Sequence, residues 1–364
     1  MICLILILLL SGGCAAPAME SVVPDKAHDR EETVTPARQE RQMKIAAVGD
    51  IMIGRGVGMK LKKEGYTKPF DSIKPYLDAD LAIGNLECVL SDRGKETEGK
   101  GICLRARPEA VRTLTYLGFD ALSLANNHTM DYGGDALKDT MDVLRENGIS
   151  YMGAGDDIGQ ARTAYTKDVN GIKTTVLSYD QFYNIRWTKN GRSAGALEDR
   201  CGTAPLDMDM VKEDIAKAKE TADVVIVMPH WGTEDSTVVT KDQIGMAHDM
   251  IDAGADAVIG SHPHILQGME VYKGRLIAYS MGNFVFDQND RENQESIVLN
   301  LKFTGCGLDE AVITPLVIVD KVSPVPAAGD RAKEILGRLK DLSQELGADV
   351  SVEGDTGSIK FTAD

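Results

Sequence analysis

Apolar runs that stop abruptly at polar residues recur along the chain. Lys44-Ile-Ala-Ala-Val-Gly-Asp50, Asp80-Leu-Ala-Ile-Gly-Asn-Leu-Glu87, Ala121-Leu-Ser-Leu-Ala-Asn-Asn-His128, Asp223-Val-Val-Ile-Val-Met-Pro-His230 and Ala257-Val-Ile-Gly-Ser-His-Pro-His264 share this form. Continuous apolar runs of such length fit buried strands. Residues 174–180 make another. Between them lie stretches of helical period: Leu137, Met141 and Leu144 ahead of Gly148, then Val211, Ile215, Ala218 and Ala222, then Ile244, Ala247 and Ile251. Residues 70–77 and 108–118 predict two shorter helices, the second opened by Pro108 and closed by Gly118. Strands alternating with helices predict an α/β fold with a largely parallel sheet. Runs rich in β formers at 276–286, 296–303 and 311–319 lack intervening helices and predict antiparallel strands. Pro324 and Pro326 break the pattern. A helix with Ile335, Leu339, Leu342 and Leu346, then a hairpin of Val350/Val352 against Ile359/Phe361, form a small C-terminal extension over 321–364. Residues 91–101 predict a polar surface loop. Residues 181–202, with Trp187, predict an irregular segment overhanging the strand ends.

The N-terminus changes the picture of where the protein works. Met1 to Leu10 is almost wholly apolar and leads into Ser11-Gly12-Gly13-Cys14. That run is short for a membrane span and fits a signal peptide over 1–14. Small residues before a cysteine resemble a bacterial lipoprotein cleavage box, with Cys14 lipidated; an ordinary secretory signal is the alternative. Both place the protein outside the cytoplasm, membrane-anchored or secreted. Residues 15–42 carry Pro17, Pro24 and Pro36 without a hydrophobic period and predict a disordered tether, His28 included. The main domain spans 43–320. A net charge of −16 argues against nucleic acid or an anionic membrane as partners through charge. Cys88, Cys103, Cys201 and Cys306 include no CxxC pair, which leaves no zinc ribbon or thioredoxin-like motif. A disulfide such as Cys88–Cys103 stays open for an exported protein.

In parallel sheets, ligands gather at the C-terminal strand ends. The polar residues there are Asp50, Glu87, Asn126, Asn127, His128, His230, His262 and His264, four of the chain's six histidines among them. Two imidazoles spaced i, i+2 on an extended segment, stiffened by Pro263, point to one side. Carboxylates, an amide oxygen and imidazoles favour one or two divalent ions of Mn, Fe or Zn over Ca or a thiolate site. Gly54, Gly56 and Gly58 miss the GxGxxG pattern of a nucleotide site. His248 falls beside the apolar face of a helix and reads as structural.

Gly49-Asp50-Ile-Met52, Gly84-Asn-Leu-Glu87, Asn126-Asn-His128, His230-Trp-Gly-x-Glu234, Ser261-His-Pro-His264 and Ser280-Met-Gly-Asn-Phe284 resemble, in order, the motifs of the CapA/PgsA family of poly-γ-glutamate capsule biosynthesis proteins. The acid, acid, Asn-His, His, His-x-His order is also similar to the calcineurin-like metallophosphoesterases. The resemblance implies a four-layer αββα sandwich of the metallophosphatase type. It implies a first metal held by Asp50, Glu87 and His264, and a second by Glu87, Asn127, His230 and His262. It implies that His128 stabilises the leaving group or the attacked oxygen. Glu234 serves either as proton shuttle or as hydrogen-bond partner of a histidine ligand, the commoner arrangement. Three positions depart from the pattern. Met52 stands at a histidine position, Glu87 at an aspartate position, and Ser261 where another histidine is frequent. The first metal position is therefore depleted.

Two functions follow from the resemblance. One is a metal-dependent hydrolase or transferase acting on phosphoesters or on the capsule polymer, in company with membrane subunits of a capsule synthase. The other is a non-catalytic lipoprotein that binds or guides an anionic polymer. Asn126, Arg55 and Arg105, with Arg107, are the candidate substrate contacts. A solute-binding lipoprotein fits the anchor but not the histidines.

Overall fold

The computed structural model describes residues 41–189 and 191–361; Cys14, His28, the expected signal and the expected tether up to residue 40 lie outside them, while Gln42, expected in the tether, already belongs to the first strand. The chain opens with β1 (Gln42–Ile51), α1 (Arg55–Glu64) and β2 (Leu81–Leu86), then the short pair β3 (Val89–Leu90) and β4 (Arg105–Ala106). There follow α2 (Val111–Leu117), β5 (Ala121–Ser123), α3 (Gly134–Glu146), β6 (Ser150–Met152), β7 (Ala154–Gly155) and α4 (Ile158–Ala161). The middle of the chain forms β8 (Tyr165–Val169), β9 (Ile172–Asp180), β10 (Gly202–Thr203), α5 (Met208–Lys219), β11 (Val224–His230), α6 (Lys241–Asp252) and β12 (Ala257–Ile259). It ends with β13 (Met269–Tyr272), β14 (Arg275–Ala278), β15 (Asn283–Val285), β16 (Glu295–Thr304), β17 (Gly307–Val319), β18 (Ser323–Pro326), α7 (Asp330–Gln344), β19 (Ser351–Glu353) and β20 (Thr356–Lys360). No helix among the described residues is long and apolar enough to cross a membrane.

Sixteen of these strands build two facing sheets, while β3 with β4 and β7 with β10 form separate pairs. The larger has ten strands in the path β19-β20-β17-β16-β1-β2-β5-β6, with β15 added beside β1 and β18 beside β17. The smaller has six, ordered β13-β14-β12-β11-β9-β8. Strand alternation makes each sheet apolar on both faces. Met43, Ile45 and Ala47 of β1 enter the core between the sheets, as do Val224, Ile226 and Met228 of β11. Ala46 and Val48 face the outer layer of α1, α2 and α3. Val225 and Val227 face α5 and α6. The result is a four-layer αββα sandwich, as the resemblance implied. The helices start where their sequences say they should: Asp207 caps α5, and Thr240 with Gln243 forms a capping box on α6.

Residues 276–286 differ from expectation. The run is not one antiparallel strand. It breaks at residues 280–282, and its halves join different sheets: β14 lies parallel to β12, and β15 parallel to β1. Gly282, at φ 70°, makes the turn, and its carbonyl accepts from the Asp50 N–H at 3.1 Å. A Cβ at Gly49 would sit 1.9 Å from that same oxygen, so only glycine permits the crossing. Residues 70–77 are likewise not one helix but two 3₁₀ turns, Lys68–Phe70 and Lys74–Leu77, each with proline in its first turn. The four cysteines among the described residues are all unpaired.

The C-terminal residues close the inter-sheet core. Ala332, Ile335, Leu336 and Leu339 of α7 pack into it. Glu295, wholly buried at the start of β16, takes ion pairs from Arg331 and Arg338 of α7, and Arg291 approaches to 3.5 Å. Removing a partner of a buried pair leaves charge uncompensated. Glu295→Ala should therefore cost about 3 kcal/mol, the low end for such a loss because the arginines keep some solvent. Urea unfolding measures it. An unchanged midpoint would mean that α7 is held by its apolar face alone.

Candidate metal centre

Both sheets end their parallel strands at the same edge, and the functional side chains meet there. Asp50 is near the end of β1 and Glu87 follows β2 directly. Asn126, Asn127 and His128 follow β5, His230 ends β11, and His262 and His264 follow β12. Three groups of potential ligand atoms form among the described residues, each within 4.8 Å: two wholly buried, Asp50, Glu87 and His264, and Glu87, His230 and His262, and a third of exposed Glu234 with His262 and His264. Glu87 belongs to both buried groups. His264 Nδ1 lies 3.4 Å from Asp50 Oδ2, and its Nε2 3.6 Å from Glu87 Oε1. His262 Nδ1 lies 3.1 Å from His230 Nε2, which is 3.0 Å from Asn127 Oδ1. His128 Nε2 lies 3.7 Å from Glu87 Oε1, on the far side from its Nδ1 bond to Asp131 at 2.6 Å.

The electrostatics ask for a cation. Glu87 is fully buried, and neither carboxylate oxygen has a hydrogen-bond partner among the described residues. A buried polar atom without a partner costs free energy unless something else satisfies it. Burial, and then the Asp50 charge, push the Glu87 carboxyl well above its usual range. Burial pulls His264 down, but the Glu87 charge and Asp50 overcome it and raise that imidazole to about 10. His230 and His262 are driven well below the ordinary histidine value, by burial first and by neighbouring imidazoles second. Burial also lowers His128, against the opposing bond to Asp131. Neutral imidazoles and an unpartnered carboxylate are the donor set of a divalent transition ion, so the residues fit one.

The His-Pro-His segment does not run extended as expected. His262 has φ 99° and His264 φ 61°. Both histidines occupy the left-handed region, where a side chain costs on the order of 1 kcal/mol or more. The turn aims one ring at each buried ligand group, which an extended i, i+2 pair could not do. Such strain is held by surrounding bonds: His262 N–H donates to Asp50 at 3.2 Å, and the Asp235 N–H to the Pro263 carbonyl at 2.9 Å.

The other expected site residues fall in different places. Glu234 is exposed, with a carboxylate oxygen within 4.8 Å of the His262 and His264 ring nitrogens. Asn126 is fully buried. It donates to Asn85 and the Leu86 carbonyl and accepts from the His128 N–H and Thr129, so it holds the loop and has no group left for substrate. Arg55 pairs with Asp287, and Arg105 lies 3.7 Å over the Tyr132 ring; neither enters the ligand groups. Met52 is buried, its sulfur accepting from the Gly54 N–H at 3.2 Å, and contributes no ligand. His248 pairs with Glu270 and stacks on Tyr272, away from the cluster.

The family model of the bacterial capsule synthesis protein PGA_cap matches residues 44–288. The chain belongs to this family. Its relatives include the capsule biosynthesis protein CapA of Bacillus anthracis, 33% identical over 326 residues, 86% of this chain and 78% of the relative. The PGA biosynthesis protein CapA of Bacillus subtilis is 34% identical over 323 residues, 87% of this chain and 81% of its own. A solved structure of a hypothetical protein from Thermus thermophilus aligns over 78% of this chain and 96% of its own at 17% identity and a TM-score of 0.42.

In this family member, several residues that order the site escape a reading of strand ends. Asn85 bonds Asp50 Oδ1 at 2.8 Å and touches His230 Nδ1 at 3.3 Å. Ser261 Oγ lies 3.0 Å from the same His230 nitrogen, and Asn283 Oδ1 2.9 Å from His264 Nδ1. Such partners fix ring orientation and tautomer. Asn85 and Asn283 sat inside the motif strings, and Asp131 lies i+3 from His128. Lys100 had no signal at all. It sits in the supposed surface loop, yet its side chain is only 4% exposed, ion-paired to Asp131 and 2.5 Å from the Asn127 carbonyl.

Proposed function

We propose that the chain is an exported, metal-dependent hydrolase or transferase of capsule synthesis, acting on an anionic polymer of the poly-γ-glutamate type. The observation that carries this reading is Glu87, unpartnered and buried between Asp50/His264 on one side and His230/His262 on the other. Asp50, Glu87 and His264 would hold one ion, and Glu87, Asn127, His230 and His262 another, with Mn, Fe or Zn the ions this donor set favours. Bound there, a divalent ion lowers the pKa of a ligated water and polarises the bond under attack.

The chain's own residues supply the rest. Asp131 accepts the His128 Nδ1 hydrogen and so turns Nε2 toward Glu87 and the reaction space. Nε2, left without a hydrogen, takes a proton from the attacking water as the carbonyl carbon gains its oxygen and then gives that proton to the departing nitrogen of the cleaved amide; an acceptor amine in place of water makes the step a transfer. Glu234, at the open side, either shuttles the released proton or braces His262 or His264. Lipidation at Cys14 would tether the domain beside membrane subunits of a synthase. A second reading, a non-catalytic polymer-binding lipoprotein, draws on Met52, whose sulfur is spent on Gly54 and leaves three ligands to the first ion.

The full chain, loaded with Mn, Fe or Zn in turn, should change the length of a γ-glutamyl polymer, read by gel filtration and by new free amines. His128→Gln should slow that reaction roughly 100-fold, a typical general-acid contribution, with metal content unchanged. No length change with any ion would sink the enzyme in favour of the scaffold.

A further inference from the structure

The metal centre is not the only place where charge is concentrated. A cavity of about 320 Å³ opens beside α1, lined by Arg55, Lys62, Arg105 and Arg107 together with Met59 and Tyr66. No carboxylate is among its lining residues, in a chain whose net charge is −16. Like charges gathered in an acidic protein repel one another, and they attract a strong anion. Two of the four are pre-set. Arg55 is held by Asp287, and Arg105 by the Arg93 carbonyl at 3.1 Å and by the Tyr132 ring. Lys62 and Arg107, at the exposed rim, form no ion pair among the described residues. The cavity lies near the metal centre, with the buried Phe286 ring between them. The Arg55 guanidinium lies 5.8 Å from the Phe286 ring centroid, and that ring 4.8 Å from His264.

We infer that this cavity is an anchoring subsite for successive carboxylates of a polyanionic chain whose neighbouring bond lies at the metal centre. The inference rests on the reading that the substrate is an anionic polymer. The Arg55 fork is already taken by Asp287, so the grip falls to Arg105, Arg107 and Lys62; a guanidinium matches a carboxylate two bonds at a time, and one that is fixed loses little freedom on binding. Lys62 and Arg107 add attraction that salt screens over about 10 Å at 0.1 M. Gripping the chain beside the reaction point sets which linkage is presented, a specificity device independent of the metal ligands.

The test compares the full chain with its Lys62→Ala/Arg107→Ala double variant. Both are titrated calorimetrically with a γ-linked glutamate oligomer at low and high salt, and with inorganic polyphosphate; metal content is measured on the same samples. The expected result is a roughly tenfold or greater loss of glutamate-oligomer affinity in the variant, a flatter salt dependence and unchanged metal content. An Arg107→Lys variant should keep most of the affinity. Equal affinity in both proteins overturns the subsite and leaves the hydrolase reading standing. Binding of polyphosphate without the glutamate oligomer also overturns it. Metal missing from both proteins would instead defeat the hydrolase reading, while the affinity difference still decides the subsite.

Discussion

Glu87→Gln should make the metal-free protein more stable above neutral pH and abolish metal binding. Both effects come from one carboxylate. Its oxygens have no hydrogen-bond partner among the described residues and no exposure, and the His264 ring 3.6 Å away offsets only part of the cost of ionising it, because burial and Asp50 still hold the carboxyl well above its usual range. The sign follows from its raised folded pKa. Well below the unfolded value of about 4.3 the carboxyl is protonated in both states and its charge costs nothing. As pH climbs through the raised folded value, the native state must either keep a proton that the unfolded chain has lost or bury a charge. Glutamine copies the protonated form in shape and stays neutral. The metal-free variant and the metal-free native protein should thus unfold together below about pH 4, and the variant should unfold later at pH 8. A difference on the order of 2 kcal/mol is expected, between the cost of a buried charge and that of a buried amide. Metal affinity should fall by more than the roughly 10–100-fold that outer-shell changes cost, and for both ions, because Glu87 belongs to both buried ligand groups. A variant that keeps its metal, or that is less stable at pH 8, would remove Glu87 from the centre of the site.

Loading with metal should stabilise the protein more as pH rises. In the metal-free site His264 is raised from its usual value to about 10, because Glu87 and Asp50 outweigh its burial. A histidine with a raised folded pKa stabilises the native state fully below about 6.5. That contribution drains away as pH rises toward 10. The span from 6.5 to about 10, at about 1.4 kcal/mol per pH unit, is on the order of 5 kcal/mol. Glu87 and His264 face each other, so this free energy counts once for the pair. An ion displaces the proton and takes over its role, so the loaded protein should be nearly flat over the same range. Thermal unfolding with chelator and with saturating Mn or Zn, from pH 6 to pH 9, reads both curves. The gap between them should widen with pH, and metal binding at pH 7 should release a proton. A constant gap would show that no titrating group is exchanged for the ion.

The strand-end rule made much of this legible. Each apolar run reported a buried strand, and its first polar residue reported the edge where ligands collect, which is why Asp50, Glu87, Asn127, His128, His230, His262 and His264 meet in space. The four-layer stacking came from resemblance and not from periodicity, since an apolar run looks the same in either sheet. For the same reason residues 276–286 concealed two strands. Hydrophobicity records burial and not partner, and the switch depends on Gly282 meeting Gly49 across more than two hundred residues of chain. The turn at His262 and His264 was hidden because a left-handed histidine is unfavourable locally and survives only through distant bonds to Asp50 and Asp235. Lys100 looked like any solvated lysine until Asp131 and the Asn127 carbonyl surrounded it.

The burial of the ligands bears on how fast an ion can come and go. Asp50, Glu87 and His230 expose nothing to solvent, and the Phe182 ring lies 4.1 Å from that of His262. An ion seated behind these groups has few routes for a chelator to follow, and stepwise ligand exchange would wait on local opening of the turn after β12. The bound ion would then be inert on the timescale of turnover, however modest its affinity. The metal found in the purified protein would record the ion met during folding, and later changes in the surrounding medium would rewrite it only slowly.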